Sequence, residues 1–358
     1  MSRFPATIEE LTPELLTSAL AENRPGVVVE RVRVAEVSRF GEGTASTADR
    51  VILNLDYAPG HDAGLPSRLL LKTSLLQRRS PRALYRNEVR FYRDIRPELA
   101  IEAPQAFASM IEEETGQFGI IMEDLKLRSA RFPNATTPVT LKEVIGLINT
   151  LAELHAHFWT SPRFTQDLNW LPTPCSGGMY RVFKKAGLDI VLKQLEIDFK
   201  NEILRPLHRS AEQLWEDLWK VQDILNTEPT TLLHGDPHIG NTYLLPEGNG
   251  GLLDWQLMVK GKWAHDLTYL IVTALNTEDR RKHERDLIQY YLDELRRRGV
   301  EPPGKNEAWK LYRQAIVWGI VIGWLITPPQ NYGQAITAAN LSRLVTAALD
   351  LETFQALP

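Results

Sequence analysis

The stretch from Leu232 to Gln256, LLHGDPHIGNTYLLPEGNGGLLDWQ, sets His234, Asp236, His238, Asn241 and Asp254 between two short apolar runs. A carboxylate and an amide oxygen are hard ligands, suited to a magnesium ion that keeps waters and binds substrate phosphates. A second carboxylate nearby is then free to accept a proton, and the set becomes the equipment of a phosphoryl-transfer site. The same residues admit another chemistry, because His-x-Asp-x-His could supply zinc ligands to a metal-dependent hydrolase. Such a centre needs further ligands from other loops, and His61, His155, His157, His208, His265 and His283 form no second cluster.

The elements that must position these groups are legible around them. NTYLL and GLLDW are apolar runs joined by PEGNG, which predicts a β-hairpin. With residues 246–250 as its loop, Leu245 faces Gly251, Thr242 faces Asp254 and Asn241 faces Trp255. Asn241 and Asp254 then share one end of the ladder, within reach of a single ion, and Asp236 lies on the loop leading into it.

A second pair stands earlier in the chain. In SPRALYRNEVRFYRDI, Ser80 and Pro81 suit a helix N-cap and first turn, and the helix places Leu84, Phe91 and Ile95 on one face with Glu88 among them. A carboxylate turned inward is costly unless a cation meets it. Lys72, at the end of the strand RLLLKTS, is the nearest candidate. The alternative is a lysine whose stem snorkels to solvent and a glutamate on a partly exposed stripe. Ahead of Lys72, RFGEGTASTADRVILNL holds Gly41 and Gly43 between two strand-like runs. They permit a tight turn and close approach of backbone to phosphate, while Ser46 and Thr47 could donate hydroxyls.

The whole chain supports such a reading without adding to it. Its 358 residues, 43% hydrophobic and 24% charged, suffice for two lobes. A net charge of -4 gives no basic footprint and excludes the usual nucleic-acid partner. The single cysteine, Cys175, rules out an internal disulfide and fits a reducing cytoplasm. MSRFPATIEELTPELL has no apolar core of the secretion-signal kind, and AIVWGIVIGWLIT is too short to cross a bilayer, so no membrane insertion is expected. Strand-like runs dominate the first part of the chain after one short helix. From Thr140 the pattern is mostly helical, with Thr140 itself placed as an N-cap. His155 falls on the apolar face of the helix LAELHAHFW, where a histidine is a satisfied core residue.

HGDPHIGN followed by LLDWQ is similar to the catalytic and metal-binding motifs of the aminoglycoside phosphotransferase and choline kinase group, and DWQ resembles its ecdysteroid-kinase-like branch. The resemblance implies an α+β, two-lobed protein-kinase-like fold. A small sheet-rich nucleotide-binding N-lobe would cover 1–124, and a larger helical C-lobe, 125–358, would hold the catalytic loop and substrate pocket. It implies Asp236 as catalytic base, Asn241 and Asp254 as magnesium ligands, and His234 as a scaffold residue. Lys72, held by Glu88, would meet the α- and β-phosphates of ATP. Gly41, Gly43 and Ser46 would form the phosphate loop, although the third glycine of the protein-kinase loop is missing. Met122 in FGIIMEDL would back the adenine, and the backbone of Glu123 and Leu125 would read its edge. Asp266 in WAHDLTYLI would brace the catalytic loop.

The activity so implied is transfer of the γ-phosphate of ATP to a hydroxyl of a small molecule. Trp170, Trp215, Trp219, Trp255, Trp263 and Trp324 in the helical part tilt the acceptor toward a bulky, largely apolar alcohol. The alternative from another class is a nucleotide-binding pseudokinase or scaffold without turnover, against which stands the presence of every residue the chemistry needs.

Overall fold

The structure, a computed structural model, describes residues 5, 7–38, 48–75 and 82–358. It divides into two compact units, Met1–Ala130 and Arg131–Pro358. The class is α+β, as expected from the strand-rich and helix-rich halves.

The first unit is built on one antiparallel sheet. Helix α1 (Pro13–Ala21) starts at Thr12, whose hydroxyl accepts from Leu15 N, with Pro13 in the first turn. Strands β1 (Val29–Ser38), β2 (Asp49–Tyr57), β3 (Arg68–Thr73), β4 (Ala106–Ile111) and β5 (Phe118–Glu123) follow, in the spatial order β1-β2-β3-β5-β4. Leu16 and Leu20 of α1 bury against Val51, Leu53 and Leu55 of β2 and Leu69 and Leu71 of β3 in one apolar cluster. Alternate residues of a strand point to one face, which explains the spacing by twos. Helix α2 (Arg82–Arg90) runs on into a π-helical turn, Phe91–Ile95, and carries Tyr85 onto Phe118 of β5 with ring centroids 4.0 Å apart. Ser80 and Pro81, the expected start of this helix, lie outside the described residues.

The second unit is mostly helical. Helix α3 (Leu141–His157) begins with a reciprocal capping box between Thr140 and Glu143. It is followed by α4 (Gly177–Leu195), α5 (Asp198–Leu204) and α6 (Ala211–Leu225). Two small antiparallel pairs then appear: β6 (Thr231–Leu233) with β9 (Val259–Gly261), and the hairpin β7 (Thr242–Leu244) with β8 (Gly250–Leu252). Helices α7 (Ala264–Ala274), α8 (Thr277–Arg297), α9 (Lys305–Trp318) and α10 (Gln334–Asp350) complete it. Thr150 on α3 donates to Gly250 O at 2.6 Å, which fastens the hairpin to that helix. The apolar run after Ala315 is buried, and from Gly319 to Leu325 it is wound as a π-helix. That turn ends on the buried ammonium of Lys200, which donates to Leu325 O at 2.8 Å, Thr327 O at 2.6 Å and Gln194 Oε1 at 2.7 Å. No helix among the described residues is long and apolar enough to cross a membrane.

The hairpin register differs from the expected one. Thr242 pairs with Leu252 and Leu244 with Gly250, two residues short of the expected partners. Pro246 is the cause: it has no N–H for a ladder and suits the second position of a turn that starts at Leu245. Leu245 accordingly accepts from Gly248 N at 2.9 Å and donates to Asn249 O at 2.9 Å, with Gly248 at φ +93° closing a three-residue loop. A slip of two preserves which side chains share a face, and Asn241 and Asp254 both lie just beyond the ladder, where Leu253 N donates to Asn241 O at 2.8 Å.

Candidate active site

The loop after β6 is fixed from below by α7. Asp266, fully buried, accepts from His234 N at 2.7 Å and Gly235 N at 3.0 Å. It also accepts from His155 Nε2 at 3.2 Å, and His155 Nδ1 in turn accepts from the Tyr291 hydroxyl at 2.7 Å. Burial alone would raise the Asp266 carboxyl, but the His155 hydrogen bond and the surrounding histidines hold it below the ordinary range. His265 Nε2 donates to Gly235 O at 2.9 Å, and Ile239 N donates to Thr273 Oγ1 at 3.2 Å. Both residues lie on α7, so one helix supplies three anchors to one loop.

Gly235 must be glycine. Its φ is +85°, and a Cβ there would lie 2.0 Å from Leu257 O. His234 uses both ring nitrogens locally: Nε2 donates to Leu253 O at 2.8 Å and Nδ1 accepts from Asp236 N at 3.2 Å. His238 Nδ1 accepts from Gly240 N at 3.1 Å, and its ring meets the edges of Tyr269, Trp324 and Tyr332. Burial depresses both imidazoles, His238 to about 3, so they are neutral scaffold groups.

Asp236 is half-buried at the rim of this loop. Burial, and after it the charge of Asp254, push its carboxyl well above the usual range, while the Asn241 amide works against them. Asn241 Nδ2 donates to Asp236 O at 2.9 Å and to Asp236 Oδ2 at 3.0 Å. With its NH2 so committed, the Asn241 oxygen points away and is available to a cation. Asp254, two residues past the end of β8, adopts the left-handed conformation at φ 65° and ψ 71°. Leu253 N donates to Asn241 O at 2.8 Å, which joins the two segments at this point.

These groups fit magnesium. Asn241 and Asp254 offer two hard oxygen ligands, the number that leaves positions for water and phosphate. The closeness of two carboxylates, visible in the upward push on Asp236 by Asp254, is what a divalent cation relieves. The zinc-hydrolase chemistry fits less well, because the His234 ring is spent on the loop itself. Among the described residues no three His, Cys, Asp or Glu side chains are grouped to hold a metal ion.

In the first unit, Lys72 Nζ lies 2.7 Å from Glu88 Oε1, both side chains buried. The snorkelling alternative is thereby excluded. Met122 on β5 pairs with Leu70 of β3 and with Ala106 of β4, and Glu123 pairs with Leu69. Leu125 opens a 3-10 turn (Leu125–Arg128), so its amide precedes the first internal hydrogen bond. Asp124, the cap of that turn, accepts from Lys126 N at 3.0 Å and from Arg68 Nε at 2.6 Å. This tie between the start of β3 and the end of β5 was not foreseen, and neither were His265 and Thr273. Gly41, Gly43 and Ser46 lie outside the described residues. Of the six tryptophans cited for an apolar acceptor, Trp255, Trp263 and Trp324 are fully buried core residues, which weakens that argument.

Comparison with known proteins fits this arrangement. A structure of a Ralstonia eutropha protein, assigned as an aminoglycoside phosphotransferase, matches at 16% identity with a TM-score of 0.55, covering 97% of this chain and 99% of the other. Spectinomycin phosphotransferase APH(9)-Ia, solved with ADP and spectinomycin, matches at 15% identity with a TM-score of 0.50, covering 96% and 99%. At such identities the likeness speaks for the fold, which is the two-lobed kinase-like one. No curated protein sequence matches the chain. The profile of the ecdysteroid kinase-like family does, over residues 53–299, a stretch that contains Lys72, Glu88, the loop of Asp236 and the hairpin up to Asp254. Matched over more than half its length, the chain belongs to the ecdysteroid kinase-like family.

Proposed function

We propose that this chain is an ATP-dependent phosphotransferase that moves the γ-phosphate to a hydroxyl of a small molecule. The observation that carries the reading is the meeting of Asp236, Asn241 and Asp254 in one braced loop and hairpin. Asp236 would orient the acceptor hydroxyl and take its proton as the oxygen attacks the γ-phosphorus and ADP departs. A carboxyl that burial raises above the usual carboxylate range is a stronger base than an ordinary one. Lys72, kept in place by Glu88, would neutralise the α- and β-phosphates, with Gly41, Gly43 and Ser46 covering them. The backbone of Glu123 and Leu125 would bind the adenine edge and Met122 would back the ring. Magnesium, held by Asn241 and Asp254, would neutralise phosphate charge. A bulky, largely apolar alcohol is the proposed acceptor, for which Tyr332, half-buried with its ring against His238, two residues from Asp236, offers an aromatic surface.

The test is incubation of the full chain with ATP, magnesium and a metabolite extract, followed by mass spectrometry for ATP-dependent gain of one phosphate. Asp236→Asn serves as the control and should lose about 10²- to 10⁴-fold in turnover while binding ATP. A wild-type protein that binds ATP but releases no ADP above the blank across the extract would instead mark a nucleotide-binding scaffold.

A further inference from the structure

A cavity of about 650 Å³ opens within the first unit, walled by the loop after α1, the turns after α2 and edge strand β4. Of its lining only Glu123 has a role proposed above, and that through its backbone, although the size is that of a small-ligand site. Its lining carries four guanidiniums, Arg24, Arg93, Arg96 and Arg128, against two carboxylates, Glu102 and Glu123, a formal charge of +2.

The pairing of these charges is uneven. Arg128 engages both acids, at 2.8 and 3.0 Å to the two oxygens of Glu102 and 3.4 Å to Glu123. Arg93 is spent on Asp94 at 2.7 Å. Among the described residues Arg96 donates only to neutral backbone oxygens, to Leu99 O at 2.9 Å and Ala103 O at 2.8 Å, and meets no carboxylate there. Arg24, half-buried, has no side-chain partner among the described residues. Among the described residues, two guanidinium charges thus line one concave polar space with no carboxylate of their own. A guanidinium presents planar, paired donors that match carboxylate and phosphate oxygens.

We propose that this cavity binds a small organic oxyanion carrying two or more negative charges, with Arg24 and Arg96 as its principal contacts. Phosphate and carboxylate groups share the required chemistry, and the probes separate them. Arg96 already holds the turn that it belongs to, whereas Arg24 has no side-chain partner among the described residues, so Arg24 is the position to alter.

The experiment is calorimetric titration of the full chain with pyrophosphate and, separately, citrate, without magnesium and at about 0.15 M salt, where distant surface charges are screened. One saturable site is expected for at least one probe, weakened ten-fold or more in Arg24→Gln, partly retained in Arg24→Lys and unchanged in Lys72→Met. Preference for pyrophosphate assigns a phosphate ligand, and preference for citrate a polycarboxylate. The proposal is overturned if neither probe saturates, if Arg24→Gln binds as wild type does, or if Lys72→Met abolishes binding, which would place the anion at the nucleotide phosphates.

Discussion

Asp266→Asn removes one charge and one acceptor atom from a buried carboxylate that receives three hydrogen bonds. His234 N and His155 Nε2 share Oδ2, at 2.7 and 3.2 Å, while Gly235 N takes Oδ1 at 3.0 Å. An asparagine with its oxygen in the Oδ2 position keeps two of these bonds but aims its NH2 at the Gly235 amide. The flipped side chain can donate to the other tautomer of His155 but then confronts the His234 amide. In either pose one buried backbone N–H loses its acceptor, at about 1–3 kcal/mol, and each surviving bond loses its charge assistance, about 1 kcal/mol more. The expected loss is therefore about 3–5 kcal/mol in urea unfolding followed by tryptophan fluorescence, with Trp255 and Trp263 as buried reporters. The folded carboxyl is held below its ordinary value, so its contribution is present above the unfolded pKa of about 3.9 and is lost as the pH falls through the folded value. The gap between wild type and variant should close in that acidic window. A loss under about 1 kcal/mol at neutral pH would refute the account of the loop as hung on this residue.

For the buried ion pair, Lys72→Met should sharply lower turnover and Glu88→Gln lower it less, and the double variant should cost little more than Lys72→Met alone, whereas effects that sum would deny a shared role. Asp254→Asn tolerates the left-handed backbone and should abolish the magnesium dependence of ATP binding in calorimetry; full retention would remove Asp254 from the ligand set. Burial lowers Lys200 to about 8, whereas an unfolded lysine holds its proton to about 10.4. The unfolded chain binds more protons between these values, so stability should rise with pH there, and Lys200→Met should lack the rise; parallel pH profiles would contradict it. Gly235→Ala should leave little soluble folded protein or no turnover, given the contact with Leu257 O, and an active, stable variant would show that the loop relaxes.

The parts that the sequence made legible are those in which residue type and neighbours decide the outcome. Glu88 reads as paired because it interrupts an apolar helical face, and Thr140 reads as an N-cap because the signal is local, to which the structure adds Glu143 as the other half of a capping box. The hairpin could be read but not its register, since the turn is chosen by where Pro246 can sit, and five candidate loop residues allow more than one start. His265, Thr273 and the Arg68–Asp124 tie were hidden because each partner lies 30 or more residues away in sequence, and nothing local marks it. The π-helical turns at Phe91–Ile95 and Gly319–Leu325 were hidden for another reason: one extra residue in a turn barely disturbs the apolar period. Three of the tryptophans, Trp255, Trp263 and Trp324, say little about the acceptor because a large ring fills a core as readily as it lines a pocket.

The backbone of Asp254 carries a consequence for how this chain could be altered. Held at φ 65°, it occupies a conformation that costs a residue with a Cβ about 1 kcal/mol or more and costs glycine almost nothing. Asp254→Gly should therefore melt at a higher temperature than wild type while losing the carboxylate. Thermal selection and selection for the proposed chemistry would push this one position in opposite directions. A library screened only for heat resistance would be expected to discard the acid, and with it the proposed magnesium ligand, before it touched most of the surface.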